Sequence, residues 1–345
     1  MPFKFKYDSP LLPDEFLGRG TTVKRIMERL LDPAMAGSCI TGGPRSGKTS
    51  LMRHLEHKLK QRKDGGKVRF IPVYFPCTVL GHTERPEFFW AWILKEVVAV
   101  AEREQLPALA VLRQRLEQAR QGNIAQGDLV NTFDELARQK LPVVVLIDDS
   151  HLMLRNMNFW PPHNFFHHLR FLLERQERGF SMVLTCYRLI HDIWDSSKGA
   201  SPFYNTLLTF YLGQLTAADA SLVVKAGFKA RNLELDDDVK DLILEASERH
   251  PCLINYAGAV CADCLQNREQ LTGQTLERKW QEADSVPVML MREIRSLQTN
   301  YQRQLVERAI QSSGELTSDE REELKDMMTS GLLEPGLLEP GVLEP

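Results

Sequence analysis

Through the first two-thirds of the chain, short apolar runs rich in β-branched residues alternate with longer stretches whose apolar positions recur every three to four residues. That rhythm predicts βαβ units around a parallel sheet. The runs GSCI (37–40), VRFIPVYF (68–75), VVVLID (143–148), SMVLTCY (181–187) and TFYLGQL (209–215) predict strands. TSLMRHLEHKLKQRK after the first strand, PEFFWAWILKEVVAVAEREQ after the second and FFHHLRFLLERQERG before the fourth predict helices covering both faces of the sheet.

After Leu215 the strand signal stops. TAADASLVVKAGF, DDDVKDLILEASERH and LINYAGAVCADCLQ read as three short amphipathic helices, the size of a compact lid. A further helical region over 287–312 leads into SGELTSDEREELKDMMTSGLLE, whose helix-turn-helix rhythm suggests part of a winged helix. The run GLLEPGLLEPGVLEP is three near-copies of a pentapeptide whose Gly and Pro forbid a continuous helix. The expected division is a core over 1–215, a lid over 216–280, a helical or partly winged-helix region over 281–330 and a repeat tail over 331–345.

Charge is nearly balanced, 43 Lys and Arg against 46 Asp and Glu, which argues against a chain-wide nucleic-acid surface but not against a local basic patch. No run of about 18 apolar residues exists, and MPFKFKYDSP lacks the features of a secretory signal, so a cytoplasmic protein with no membrane partner is expected.

Residues 42–49, GGPRSGKT, match G-x-x-x-x-G-K-[ST] in full, directly after a predicted strand and before a predicted helix. Glycines let successive backbone N–H groups turn toward phosphate oxygens, and the following helix points its positive end at the same charge. The expected nucleotide-binding residues are Gly42, Gly43, Pro44, Arg45, Ser46, Gly47, Lys48, Thr49 and Ser50. Lys48 would reach the β- and γ-phosphates, and the Thr49 hydroxyl would ligate Mg2+. ATP and ADP are the expected nucleotides.

VVVLIDD at 143–149 places two carboxylates where a buried strand ends, the edge at which open parallel sheets bind ligands. Asp148 would hold the magnesium through water and Asp149 would orient or deprotonate the attacking water; a helix cap is the other reading of Asp149. LTCYR ends a neighbouring strand, where Thr185 would touch the γ-phosphate or its water with Arg188 just beyond, unless the two are a packed strand threonine and a surface arginine.

These pieces in this order resemble the STAND and archaeal-type ATPase branch of the AAA+-like P-loop ATPases. FLGR (16–19) looks like that group's F-[VI]-G-R-E segment, with Gly20 in place of Glu, and the resemblance lays Gly18 and Arg19 over the nucleotide base. The interval of about a hundred residues between the phosphate motif and the acid strand is consistent with the family's strand order 5-1-4-3-2 and a helix–strand–helix insertion. FYLGQLTAADA is similar to the passage from the last strand into the lid, and SERHPCLINYAG to the lid's G-[HLN]-P motif. That similarity brings His250 and Pro251 near the base or phosphates, with Arg249 standing where Gly is expected. The arginine finger of AAA+ rings sits just before the last strand, yet Leu189 to Leu215 contains no Arg. STAND proteins are switches in which ADP keeps lid and core closed and exchange for ATP permits assembly.

Other residues carry blander readings. Phe88, Phe89, Trp90 and Trp92 fit a core-facing helix better than a base-stacking platform. His163, His167 and His168 lack the adjoining Glu of H-E-x-x-H, and Cys261 and Cys264 lack a second ligand pair, so neither group is taken as a metal site. The basic run Lys58, Lys60, Arg62, Lys63, Lys67, Arg69 reads as a solvated face. The expected function is an ATP-dependent regulatory switch with slow hydrolysis and self-association or protein partner binding. The alternative is a DNA-engaging AAA+ protein of initiator or transposition-regulator type, disfavoured by the acidic GELTSDEREELKD. A pseudo-ATPase scaffold ranks last.

Overall fold

The computed structural model describes residues 4–32, 34–80, 86–155, 162–175, 179–187, 203–282, 285–297, 302, 305–306, 309–310, 316–329 and 333. All five predicted runs contain strands: β1 (Ser38–Thr41), β4 (Ile71–Pro76), β5 (Val143–Asp148), β6 (Phe180–Cys186) and β7 (Leu208–Tyr211). A small antiparallel hairpin, β2 (Lys63–Asp64) with β3 (Lys67–Val68), precedes β4 and takes up the start of the run assigned to the second strand. The sheet order is β4-β5-β6-β1-β7. Numbered by its five strands alone and read from the other edge, this is the expected 5-1-4-3-2.

β4 pairs with β5, β5 with β6 and β6 with β1, all parallel, bringing Pro76 opposite Asp148 and Ile40 opposite Thr185. The carboxyl ends of β1, β5 and β6 therefore share one edge. Pro72 cannot donate to a ladder, and it is accommodated because β4 is the outermost strand on its side. β5 and β6 are buried at every position, as expected of central strands covered on both faces.

The chain separates into two compact units. One comprises Thr21–Thr41 and Leu51–Phe210. Its core gathers Val143, Val145 and Ile147 of β5, Met182 and Leu184 of β6, and the helices that flank them. α1 (Gly20–Leu31) buries Val23, Ile26, Met27 and Leu30, an i, i+3, i+4, i+7 stripe. After α2 (Lys48–Gln61) come α3 (Pro86–Arg103), α4 (Leu109–Arg120), α5 (Gln126–Arg138), α6 (Ser150–Arg155) and α7 (Pro162–Glu174). The aromatic helix faces the core as read: Phe89 and Trp90 are buried in α3, and Trp92 Nε1 donates to the Tyr74 carbonyl at 3.0 Å.

The other unit comprises Met1–Gly20, Gly42–Ser50 and Tyr211–Pro345. The three amphipathic segments form α8 (Ala217–Ala230), α9 (Asp237–Ala246) and α10 (Pro251–Gln266), followed by α11 (Gly273–Trp280), α12 (Val286–Leu297) and α13 (Ser318–Thr329). No strand follows α11 among the described residues. Phe5 fills a slot left by the absent side chains of Gly227 in α8 and Gly258 in α10, and meets Phe228 edge-on at 5.9 Å. No described helix is long and apolar enough to cross a membrane. Arg188, the start of the arginine-free stretch and the repeat tail apart from Leu333 lie outside the described residues.

Candidate nucleotide-binding site

The phosphate loop leaves the carboxyl end of β1 and enters α2 at Lys48, the strand–loop–helix context its motif requires. Gly42 has no room for a side chain: a Cβ there would lie 2.6 Å from the Leu212 carbonyl and 2.8 Å from Ser46 Oγ. Lys48 is buried, and its Nζ donates to the carbonyls of Gly42 at 2.8 Å and Gly43 at 2.7 Å. Thr49 is half-buried in the first turn of α2, while Ser50 Oγ accepts the Leu11 N–H at 3.0 Å, so Ser50 anchors the N-terminal segment.

Arg19 clamps three segments of this unit. Its guanidinium donates to the Ser46 carbonyl at 3.2 Å and the Gly213 carbonyl at 2.6 Å, and its N–H donates to Asp219 Oδ2 at 3.0 Å. Burial brings its pKa down to about 10, against the opposing pull of Asp219. Gly18 is needed beside it, with φ +79° and a would-be Cβ 3.0 Å from the Asp219 Cβ. The same contacts explain why the last strand stops at Tyr211, short of the expected Leu215. The Leu212 carbonyl packs on the phosphate loop and the Gly213 carbonyl accepts from Arg19, so neither continues the sheet.

Arg45 sits at φ +55° and forks onto Glu293 of α12, with Nε 3.1 and 3.0 Å from the two carboxylate oxygens and Nη2 2.5 Å from Oε1. This pairing raises its pKa. His250 stands at the N-cap position of α10 with Pro251 in the first turn, where Pro's missing N–H costs nothing. The residue before it, Arg249, has φ +60°, the conformation that favours Gly at that place in the lid motif. His250 Nδ1 and Ser46 Oγ are buried without a hydrogen-bond partner among the described residues.

The acid strand belongs to the sheet unit. Asp148 is buried and accepts from Thr185 Oγ1 at 2.6 Å and from the Tyr74 hydroxyl at 2.7 Å. Thr185 Oγ1 also accepts the Asp149 N–H at 2.8 Å, so one hydroxyl ties both acid residues to β6. Asp149 is half-buried at φ +54°, and its carbonyl accepts from Leu152 N in the first turn of α6. Tyr74 was not singled out in the sequence. Burial, together with the Asp148 carboxylate, pushes its phenol well up, so it stays protonated and donates. The signal available was a polar residue near the end of a strand that pairs with the acid strand.

His250 and His168 share an electrostatic property with a measurable consequence. Burial lowers both to a pKa of about 4; at His250, Arg19, Lys48 and Arg45 add to the effect against a hydrogen bond with the Pro44 backbone. His168 packs edge-on against Trp90 at 5.5 Å, and its Nε2 has no hydrogen-bond partner among the described residues. An unfolded histidine takes up its proton near pH 6.5, before either folded one does. Stability is therefore expected to be complete above about pH 6.5 and to fall as pH drops toward 4. Denaturant titrations at stepped pH should show this slope, and His168→Phe should flatten it; an unchanged slope counts against a neutral buried His168.

The remaining candidates take structural places. Cys261 and Cys264 are buried in α10, and burial pushes Cys261 up to about 12. His167 is exposed, and the His163 side chain lies outside the described residues. Lys63 and Lys67 sit in the β2–β3 hairpin, turning through Gly65 and Gly66.

Residues 15–185 match the family model of the AAA ATPase domain. No curated protein matches the sequence significantly. Among solved structures, the chain is similar to the Walker-type ATPase PABY2304 of Pyrococcus abyssi, with a TM-score of 0.58 at 16% identity over 96% of this chain and 89% of that one. It is also similar to the ORC2 protein of Aeropyrum pernix. In the ADPNP–ADP complexes the TM-score is 0.54 at 14% identity, over 93% and 82% of the two chains. In the ADP form it is 0.51 at 14% identity, over 96% and 90%. With its sheet order and its phosphate loop the chain has the fold of a P-loop ATPase, and residues 15–185 are similar to the AAA ATPase domain.

Proposed function

We propose that the chain is a regulatory switch that binds ATP and ADP, hydrolyses ATP slowly, and changes its self-association or protein partner binding with the nucleotide state. The observation that carries this reading is the phosphate loop itself. Arg19, Arg45 and Lys48 are all held on it or by it, two of them tied to other segments, and their summed field adds to the burial that keeps His250 neutral. A polyphosphate is the ligand such a field suits. The unpartnered Ser46 Oγ and His250 Nδ1 fit polar ligand atoms. The similarity to ORC2 structures holding ADP and ADPNP supports an adenine nucleotide.

In this reading the amides of Gly42 through Ser50 cradle the phosphates, and Lys48 neutralises the β- and γ-oxygens. Pro251 fixes the start of α10 so that His250 faces the loop. No cluster of three or more metal-ligating side chains occurs among the described residues. Magnesium takes one or two protein ligands alongside substrate phosphates and water. Thr49 and Asp148 would hold it, and it would supply charge neutralisation on the transferred phosphoryl group. Asp149 serves as base or water-orienting group. Thr185, whose hydroxyl is engaged by Asp148 and Asp149, positions the two acids. Hydrolysis is slow because Leu189 to Leu215 offers no arginine finger.

The Arg45–Glu293 fork supports the switch. A triphosphate arriving at the loop competes with Glu293 for Arg45, which couples the loop to α12. With side chains 27% and 42% exposed, the pair is worth at most about 1 kcal/mol, so Glu293→Gln should raise triphosphate affinity by about fivefold. Calorimetric titration checks this, and lower affinity in the variant would remove the coupling. Light scattering after size exclusion, in ADP and in a non-hydrolysable ATP analogue, tests the switch. One mass in both states, with no partner captured differently, overturns it. The DNA-engaging alternative is tested by salt titration, because phosphate contacts give steep slopes. The sequence of α13, SDEREELKDMMT, with five acidic residues against one Arg and one Lys, favours the switch.

A further inference from the structure

A cavity of about 680 Å³ lies at the edge of the sheet where β4 and β5 begin, and all of its lining belongs to the unit that holds the sheet. Phe70 and Pro142, both in the lining, stand immediately before those strands, and the Ile71 N–H ties the two starts together by donating to the Pro142 carbonyl at 3.0 Å. Asp148 ends β5 about 17 Å further along the strand, so the cavity is separate from the acid edge. Half-buried Leu31, Val68 and Leu106 line it together with buried Met35, Phe70 and Leu141. The volume falls in the range of ligand sites and exceeds what a single side chain fills.

Charge decides what such a wall would take. Arg69 and Lys140 line the same cavity, and the Arg69 N–H donates to the Arg62 carbonyl at 3.2 Å, which sets Arg62 and its neighbour Lys63 beside Arg69 on the β2–β3 hairpin. All four cations are exposed, and none has an ion-pair partner among the described residues. The acids of the lining are placed differently. Asp32 Oδ1 accepts the Ala34 N–H at 2.7 Å, and Glu104 Oε1 lies 3.5 Å from Arg103 Nε, which leaves Asp64 as the one carboxylate set among the hairpin cations. The hairpin side therefore attracts acid, while the aliphatic wall takes an apolar group. A nucleic acid also brings negative charge, but its bases bind by stacking on exposed rings, and Phe70, the aromatic residue of the lining, is 3% exposed.

We propose that this cavity docks a segment of a partner protein, an acidic peptide carrying a bulky apolar side chain. The leucine or phenylalanine enters against Leu31, Val68 and Leu106, and the peptide's carboxylates meet Arg62, Lys63, Arg69 and Lys140. The site shares no residue with the nucleotide assignment, so it is read without nucleotide and its failure leaves that assignment standing.

The test titrates fluorescent probes with the full chain: the peptide EEDLFDEE, its serine version EEDSSDEE, the basic peptide KKQLFQKK and a single-stranded oligothymidylate. EEDLFDEE should bind at least about tenfold more tightly than the other three, and less tightly as salt rises. Arg69→Glu with Lys140→Glu should weaken that binding by about tenfold or more while keeping the parent's circular dichroism. A photo-leucine in place of the peptide's leucine should crosslink to Leu31, Val68 or Leu106. No binding of EEDLFDEE, equal binding of the serine version, parental affinity in the charge-reversed variant, or crosslinks only elsewhere overturns the site. Tighter binding of the oligothymidylate overturns the peptide and makes the face a nucleic-acid surface. If the charge-reversed variant does not fold, Arg69→Gln with Lys140→Gln takes its place. Weaker binding of EEDLFDEE to that variant supports the site, and parental affinity overturns it.

Discussion

Asp149→Asn is expected to lower ATP turnover by about 10²-fold or more, the share that a positioned base contributes, while leaving ATP affinity close to the parent's. Asparagine is nearly isosteric and tolerates the left-handed φ of +54° found at this residue. Its N–H keeps the bond to Thr185 Oγ1, so the turn survives and only the carboxylate is lost. Single-turnover phosphate release, read beside calorimetric binding, separates the two quantities. Parental turnover would make Asp149 a turn residue and nothing more. Asp148→Ala should behave differently, losing both binding and turnover. It also strips the acceptor from Tyr74 and Thr185, at a cost of about 1–3 kcal/mol for each buried hydroxyl left unpaired, so its unfolding midpoint should drop where that of Asp149→Asn does not.

Lys48→Ala carries the second large effect. The ammonium is buried against the Gly42 and Gly43 carbonyls, and in the proposed function it is the cation that meets the β- and γ-phosphates. A charge-assisted contact of this kind is worth about 1.5–3 kcal/mol, so triphosphate affinity should fall by about 10- to 100-fold. Binding at parental affinity in a calorimetric titration sinks the assignment of the phosphate site. Arg45 is not expected to rescue the loss, because it is already forked onto Glu293 and its planar guanidinium is fixed by that geometry.

These two residues, like the rest of the phosphate motif and the acid pair, could be singled out as candidates because each motif is written in contiguous residues. GGPRSGKT and VVVLIDD each carry their own strand context, and period-2 or period-3.6 patterning reports whether a segment is buried on one face or two. The strand order followed from family spacing. Patterning along the chain was therefore enough for the five strands of the sheet, the three helices after it, the strand–loop–helix setting of the phosphate motif and a pair of candidate acids. The tertiary structure decided who meets whom. Tyr74 reaches Asp148 across 74 residues, Arg45 reaches Glu293 across 248, and Arg19 reaches Asp219 across 200. It also decided that Thr185 spends its hydroxyl on the two acids, that the last strand yields at Leu212 to the phosphate loop, and that Phe5 and Leu333 are buried. Local periodicity encodes which face of an element is buried but carries no information on its partner, since hydrogen bonds and packing between distant segments depend on the closed fold rather than on spacing along the chain.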